Sequence, residues 1–145
     1  MLQTLSEKVE KSVFNYFQSL QGKKGSIEVA IKKLHCQKIE TLREFHNEIY
    51  IMSKLNHQNI LKLYGIVTDP FQMVLEYCPL PDLFKHLHDE NLLSKEKFSL
   101  QLQLKFCYDI SCAISYLHSQ SPPIVHLDLR SPNIVIFDFL NIFCI

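Results

Sequence analysis

The sequence predicts an α+β fold, a small antiparallel sheet carrying one helix followed by a mainly helical region, and three observations carry that prediction. Runs rich in apolar and β-branched residues at Ile27–Ile31, Ile60–Val67 and Gln72–Cys78 have strand character and occupy the first half. Between the first and second of them, Ile39, Leu42, Phe45, Ile49, Met52 and Leu55 fall on one stripe at helical spacing. After the breaker Pro79-Leu80-Pro81-Asp82, a second stripe of Leu102, Phe106, Ile110, Ala113, Ile114 and Leu117 marks a longer helix.

Taken in chain order, Thr4-x-x-Glu7 has the form of a capping box, and Leu5, Val9, Ser12/Val13 and Phe17 recur at three- to four-residue intervals, so local reading predicts a helix over Leu5–Leu20. Gly22-Lys23-Lys24-Gly25-Ser26 reads as a turn leading into the first strand, which ends on Lys32. The amphipathic helix stops near Asn56, and Thr68-Asp69-Pro70 turns the next two strands against each other because proline fixes φ and removes a donor. A short helix follows the breaker through His88. Ser121-Pro122-Pro123 ends the long helix, and Ile124–Ile136 reads as strand, loop, strand. The parts are then a divergent N-terminal segment, 1–21; a sheet-and-helix lobe, 22–78; a helical part, 79–136; and an apolar tail, 137–145, expected to leave a core uncovered and to invite self-association.

Composition excludes several classes. Fifteen basic residues balance fifteen acidic ones with no basic block, so nucleic acid is not an expected partner. The longest mainly apolar stretch, Ile134–Ile145, falls short of the roughly 20 residues of a membrane span. Met1–Glu10 lacks the form of a secretory signal, which gives a cytoplasmic expectation. The five cysteines contain no C-x-x-C pair and read as reduced, mostly buried thiols without a metal. His86-x-His88 has no third ligand at suitable spacing, so both histidines are expected at the surface.

Four motifs carry chemistry. Val29-Ala30-Ile31-Lys32 ends the first strand on a lysine; Glu48 follows on the amphipathic helix; His57-Gln58-Asn59-Ile60 follows that helix; and His126-Leu127-Asp128-Leu129-Arg130-Ser131-Pro132-Asn133 spells H-x-D-L-x-x-x-N. In this order they resemble the protein kinase domain, over about Gly25–Ile136. The wording of Ile124–Ile134 and Phe45–Gly65 is most similar to the tyrosine-kinase-like group and, within it, the Roco-type kinases. The fold implied is protein-kinase-like: N-lobe sheet and helix, then the first helices and catalytic loop of the C-lobe.

The resemblance implies a transferase that moves the γ-phosphate of ATP, with magnesium, to Ser or Thr of a protein substrate in signal transduction. Such chemistry needs the triphosphate held in line and its charge neutralised. Lys32 would contact the α- and β-phosphates, and Glu48 would hold its ammonium. Asp128 would orient the substrate hydroxyl and accept its proton, Asn133 would bind magnesium, and Arg130 would be the cation near the transferring phosphate. Ala30 and Val135 would sandwich the adenine, Leu75 would stand behind it as gatekeeper, and Glu76 and Cys78 would supply hinge backbone groups. Ala30, Leu75 and Val135 serve equally well as plain core residues. His126 and Met52 are expected as packing elements.

The sequence also departs from that pattern. Upstream of Lys32 only Gly22 and Gly25 occur, and Lys11-Ser12-Val13-Phe14 stands where a phosphate-cradling glycine loop ends; without glycines, backbone amides approach phosphates less closely. Leu127 replaces the arginine that answers a phosphorylated activation loop, so control by that phosphate is not expected. Asp138-Phe139-Leu140 follows Asn133 too soon to be the metal-binding D-F-G, because a hairpin of strands of about 5 residues and a turn of about 2 must intervene. The expectation is a truncated kinase domain that does not turn over by itself; the alternative is a non-catalytic, pseudokinase-like module that binds a kinase or scaffold.

Overall fold

A computed structural model describes residues 9–18, 23–33, 39–89, 99–138 and 141–144, and these fall into two units. The first comprises the described residues of Met1–Leu55 together with Lys62–Tyr77. Its centre is a four-stranded antiparallel sheet of β1 (Val9–Gln18), β2 (Lys23–Lys33), β3 (Leu63–Thr68) and β4 (Phe71–Glu76), in the order β1-β2-β4-β3. Between β2 and β3 the chain forms α1, Ile39–Met52. The interior strands supply the core: Val29 and Ala30 of β2, and Met73, Val74 and Leu75 of β4, are buried, with Phe45 of α1. Three successive buried residues on β4 mean that both of its faces are covered, since neighbouring side chains point to opposite sides. α1 meets the sheet side through Glu48, which reaches Lys32, and His46, whose ring meets Phe71 edge-on at 5.4 Å.

The first element corrects the sequence reading: Val9–Gln18 is a strand where a helix was expected over Leu5–Leu20, and the part of that span outside 9–18 lies outside the described residues. A spacing of four residues is a multiple of the strand period of two as well as close to the helical 3.6, so Val9, Val13 and Phe17 fit both patterns. Pairing decides between them, because β1 runs antiparallel to β2 from Val9 opposite Lys32 to Gln18 opposite Lys23. The same ladder draws Lys23–Ser26, expected as a turn, into β2, since cross-strand hydrogen bonds outweigh the weak strand preference of Gly25. The remaining first-half elements are of the expected type but shorter: α1 ends at Met52 rather than near Asn56, β3 begins at Leu63 rather than Ile60, and β4 ends at Glu76 rather than Cys78, with Asp69 and Pro70 at the turn between β3 and β4.

The second unit comprises Asn56–Leu61 and the described residues from Cys78 onward. Asp82 caps the six-residue α2, Leu83–His88, where its Oδ1 accepts from the Lys85 amide at 2.9 Å. Ser99 caps α3, Leu100–His118, in the same way, accepting from the Leu102 amide at 3.3 Å. Along α3, Phe106, Ala113 and Leu117 are buried, and Leu102, Ile110 and Ile114 are half-buried, as the stripe requires. Ser131–Asn133 is a single 3₁₀ turn, and β5 (Ile134–Asp138) and β6 (Asn141–Cys144) form an antiparallel hairpin.

Three further expectations are corrected here. The strand predicted at the start of Ile124–Ile136 is extended loop, because no neighbouring strand lies alongside it among the described residues. The apolar tail is not a loose end: Phe137 and Asp138 complete β5, and β6 lies against α3 with Ile142 and Phe143 buried. Ile142 and Phe143 go inside as hairpin closure sets them opposite Ile136 and Val135, while Phe137 stays 41% exposed. Of the thiols whose burial is described, Cys107 is exposed and Cys78 and Cys112 are half-buried, less than expected, since 107 and 112 fall beside the buried positions 106 and 113 of α3; Cys36 lies outside the described residues. His86 is buried where a surface residue was expected; its Nδ1 donates to the Asp82 carbonyl at 3.0 Å, which satisfies one ring nitrogen inside the helix.

Candidate active site

In the first unit the site is built on one face of the sheet. Ala30 and Lys32 are two apart on β2 and so share a face, and their partners across the ladder are Leu75 and Met73 of β4. Ala30, Leu75 and Met73 are buried, and Lys32 is 9% exposed. A lysine so enclosed requires a partner for its ammonium. Lys32 Nζ donates to both oxygens of Glu48, at 2.7 and 2.9 Å. The sequence separation of 16 is bridged because α1 returns along the sheet and presents Glu48 to the end of β2.

Glu76 ends β4. Its amide donates to the Lys62 carbonyl at 2.9 Å, and its carboxylate accepts from the Lys62 amide at 3.4 Å, so its side chain is folded back along the neighbouring strand. The amide of Glu76 is therefore already used. Cys78 follows in extended chain, half-buried.

In the second unit, the segment after α3 brings Asp128, Arg130 and Asn133 together. Asn133 Nδ2 donates at 2.9 Å both to the Asp128 carbonyl and to its Oδ2. Arg130 Nε stands 3.1 Å from Asp128 Oδ1. Both carboxylate oxygens thus face donors, and the 3₁₀ turn Ser131–Asn133 returns the amide of residue 133 to a group five positions earlier. Because the Asn133 nitrogen is taken by Asp128, its amide oxygen, to which no described group donates, is the hard donor a magnesium ion prefers. It could supply one ligand to such a shell; among the described residues no cluster of three or more His, Cys, Asp and Glu is arranged to hold a metal. Val135 lies on β5, paired with Phe143 and bridged to Asp82.

His126 supports the loop from within. The Asp128 amide donates to its carbonyl at 2.9 Å and lies 3.3 Å from its Nδ1. With Nδ1 as acceptor the neutral ring carries its proton on Nε2, which is buried and meets no partner among the described residues.

Sequence reasoning read His57–Ile60 only as the connection after α1, and here it missed an anchor. The Asn56 amide donates to the Tyr116 hydroxyl at 3.0 Å, His57 stacks on the Tyr116 ring at 4.8 Å, and Asn59 Nδ2 donates to the Ile142 carbonyl at 3.2 Å. Asn59 is 3% exposed, a burial no polar residue shows without structural cause. Asp109, buried on α3 and paired with Lys105, was missed as well; the i, i+4 spacing of the two was its only signal.

This geometry agrees with comparison against known proteins. The family described as protein tyrosine and serine/threonine kinase matches residues 4–142, and the chain belongs to the protein kinase family. It is 48% identical over 99 residues to probable serine/threonine-protein kinase roco11 of Dictyostelium discoideum, covering 68% of this chain and 6% of that protein. It is 47% identical over 96 residues to probable serine/threonine-protein kinase qkgA of the same organism, covering 66% and 6% respectively. To wall-associated receptor kinase-like 10 of Arabidopsis thaliana it is 40% identical over 114 residues, 74% of this chain and 14% of that protein. The chain therefore spans a small part of the curated relatives it matches, and the Roco-type resemblance read from the motifs is borne out. Among the described residues no helix is long and apolar enough to cross a membrane.

Proposed function

We propose that these residues form part of a protein serine/threonine kinase domain, whose reaction transfers the γ-phosphate of ATP to a protein hydroxyl. The observation that carries the reading is the two-oxygen contact of Lys32 with Glu48, because a nearly buried lysine ending a strand and held by a helix carboxylate is poised as a fixed cation for a polyphosphate. Asp128 accepts the hydroxyl proton, Arg130 offsets charge on the transferring phosphate, and Asn133 Oδ1 contributes to magnesium binding. Magnesium, when bound, supplies charge neutralisation along the phosphates. Ala30, Leu75 and Val135 give apolar surface for the adenine, while Glu76 and Cys78 offer backbone groups to its edge. A cytoplasmic location goes with this reading, since ATP and reduced thiols are held there.

These 145 residues contain no glycine-rich loop and no D-F-G at the required spacing, so the purified chain is expected to transfer no phosphate to a generic acceptor protein. Turnover that disappears in Asp128→Ala would overturn that expectation. Weak binding of a fluorescent ATP analogue with magnesium, lost in Lys32→Met, supports the kinase reading; equal binding by both forms contradicts it. A second reading, a module that binds a kinase or scaffold without catalysis, is favoured by Leu127 standing in place of the usual arginine. Capture of a folded kinase domain by a chain that binds no nucleotide would select it.

A further inference from the structure

The short helix α2 buries a histidine and exposes two of its apolar residues. Phe84 and Leu87 are 45% and 50% exposed, while His86, which lies between them, is 7% exposed and is the only buried residue of the helix. Burial of apolar area therefore does not choose this orientation, since that would turn Phe84 or Leu87 inward. An imidazole is enclosed at a cost unless its polar atoms are met. Here Nδ1 donates to the Asp82 carbonyl at 3.0 Å, and the same carbonyl accepts from the His86 amide at 3.2 Å, so ring and backbone are tied to one oxygen at the head of the helix.

The neighbours of α2 show what this tie holds. A helix of six residues is too short to persist alone, and its place is set by what it lies against. Among the described residues α2 packs on the 3₁₀ turn Ser131–Asn133 and on β5. His86 and the half-buried Leu83, three positions apart, form its inward face. Asp82, whose carbonyl holds the ring, is itself bridged to Val135, two residues beyond Asn133. The turn held in this way ends on Asn133, whose Nδ2 donates to the carbonyl and to Oδ2 of Asp128, each at 2.9 Å.

We propose that His86 is a positioning residue for Asn133, and through it for the Asp128 carboxylate, acting by the Nδ1 hydrogen bond that fixes α2 against the turn. This rests on the reading of Asn133 and Asp128 as parts of a phosphotransfer site. It gives the buried imidazole a task that an apolar side chain of similar bulk does not perform.

The test uses the isotope-labelled chain. Long-range proton–nitrogen spectra of the parent assign the tautomer of the neutral His86 ring, which is expected to carry its proton on Nδ1; a proton on Nε2 instead overturns the proposal, because Nδ1 then cannot donate to a carbonyl. Two variants follow, read by hydrogen exchange at the Asn133 amide and by the Asn133 side-chain signals, with the α3 amides as control. His86→Asn keeps a donor at the δ position, and both readouts are expected to stay as in the parent. His86→Leu keeps bulk without the donor; Asn133 exchange is expected to quicken at least tenfold and its side-chain signals to move toward those of a free amide, with α3 unchanged. Parent-like readouts in the Leu variant, or the same loss in the Asn variant, overturn the proposal. If the Leu variant loses its α3 signals as well, the Asn variant decides alone: retention supports the bond and loss refutes it. None of these readouts involves nucleotide, so failure of the phosphotransfer reading appears separately, as unchanged binding of a fluorescent ATP analogue with magnesium by Asn133→Ala.

Discussion

The Lys32–Glu48 pair is unequal, and the inequality predicts which partner is costlier to remove. The Lys32 side chain is 11% exposed and that of Glu48 31%. Taking away Glu48 leaves a nearly buried ammonium without the carboxylate that faces it, whereas taking away Lys32 leaves a carboxylate that can turn toward water. Removing one partner of a fully buried pair costs about 3–5 kcal/mol and an exposed pair contributes about 0–1 kcal/mol, so Glu48→Ala belongs between them, at about 1–3 kcal/mol. Lys32→Met keeps an unbranched apolar stem against Met73 and its neighbours, removes the desolvated charge, and is expected to cost no more than about 1 kcal/mol. Urea unfolding followed by far-ultraviolet circular dichroism gives both values, with the double variant closing the cycle. The cost of Glu48→Ala should change little with added salt, because mobile ions screen exposed pairs far more than enclosed ones. A Lys32→Met variant less stable than Glu48→Ala would refute the reasoning, since the ammonium would then not be the group that burial penalises.

Three other perturbations probe the remaining claims. Asn133→Asp replaces the amide donor with a second carboxylate against Asp128, so it should destabilise more than Asn133→Ala at neutral pH, which thermal melts of the two variants would reveal. Ile142→Ala, at a position 1% exposed, should cost about 2–4 kcal/mol in urea unfolding, and a cost near zero would return β6 to the status of a loose tail. The Tyr50 phenol, lowered from its ordinary range by a hydrogen bond and then by the charge of Lys54, should return to that range in Lys54→Met, as phenolate absorbance would report. Because its folded value is depressed, any stability linked to this phenol is present above about pH 10 and lost as pH falls through the folded value.

How much was legible in the sequence depended on whether a residue's task was local. Lys32, Glu48, Asp128 and Asn133 were singled out by residue type and spacing; the ion pair expected between Lys32 and Glu48 is present at 2.7 and 2.9 Å, whereas the 2.9 Å contact of Asn133 with Asp128 was not read from the spacing. The helices of the second half could be read from the breaker at Pro79–Asp82 and from the apolar stripe of Leu102–Leu117, which are properties of adjacent residues. β1 could not: Val9, Val13 and Phe17 suit helix and strand alike, and the choice is made by a ladder with β2 that no local window contains. Residues 137–145 failed for the same reason, since an apolar run looks exposed until the strand that it pairs with is known. Asn59 and Tyr116 lay further out of reach, their partners being 83 and 60 positions away. Leu127 marks the remaining limit. Its side chain, the only part that sequence displays, departs from the pattern and suggested a lost control, whereas its φ of 62° and the bond of 2.9 Å that closes across it from the Asp128 amide to the His126 carbonyl are features of the backbone that no residue name spells.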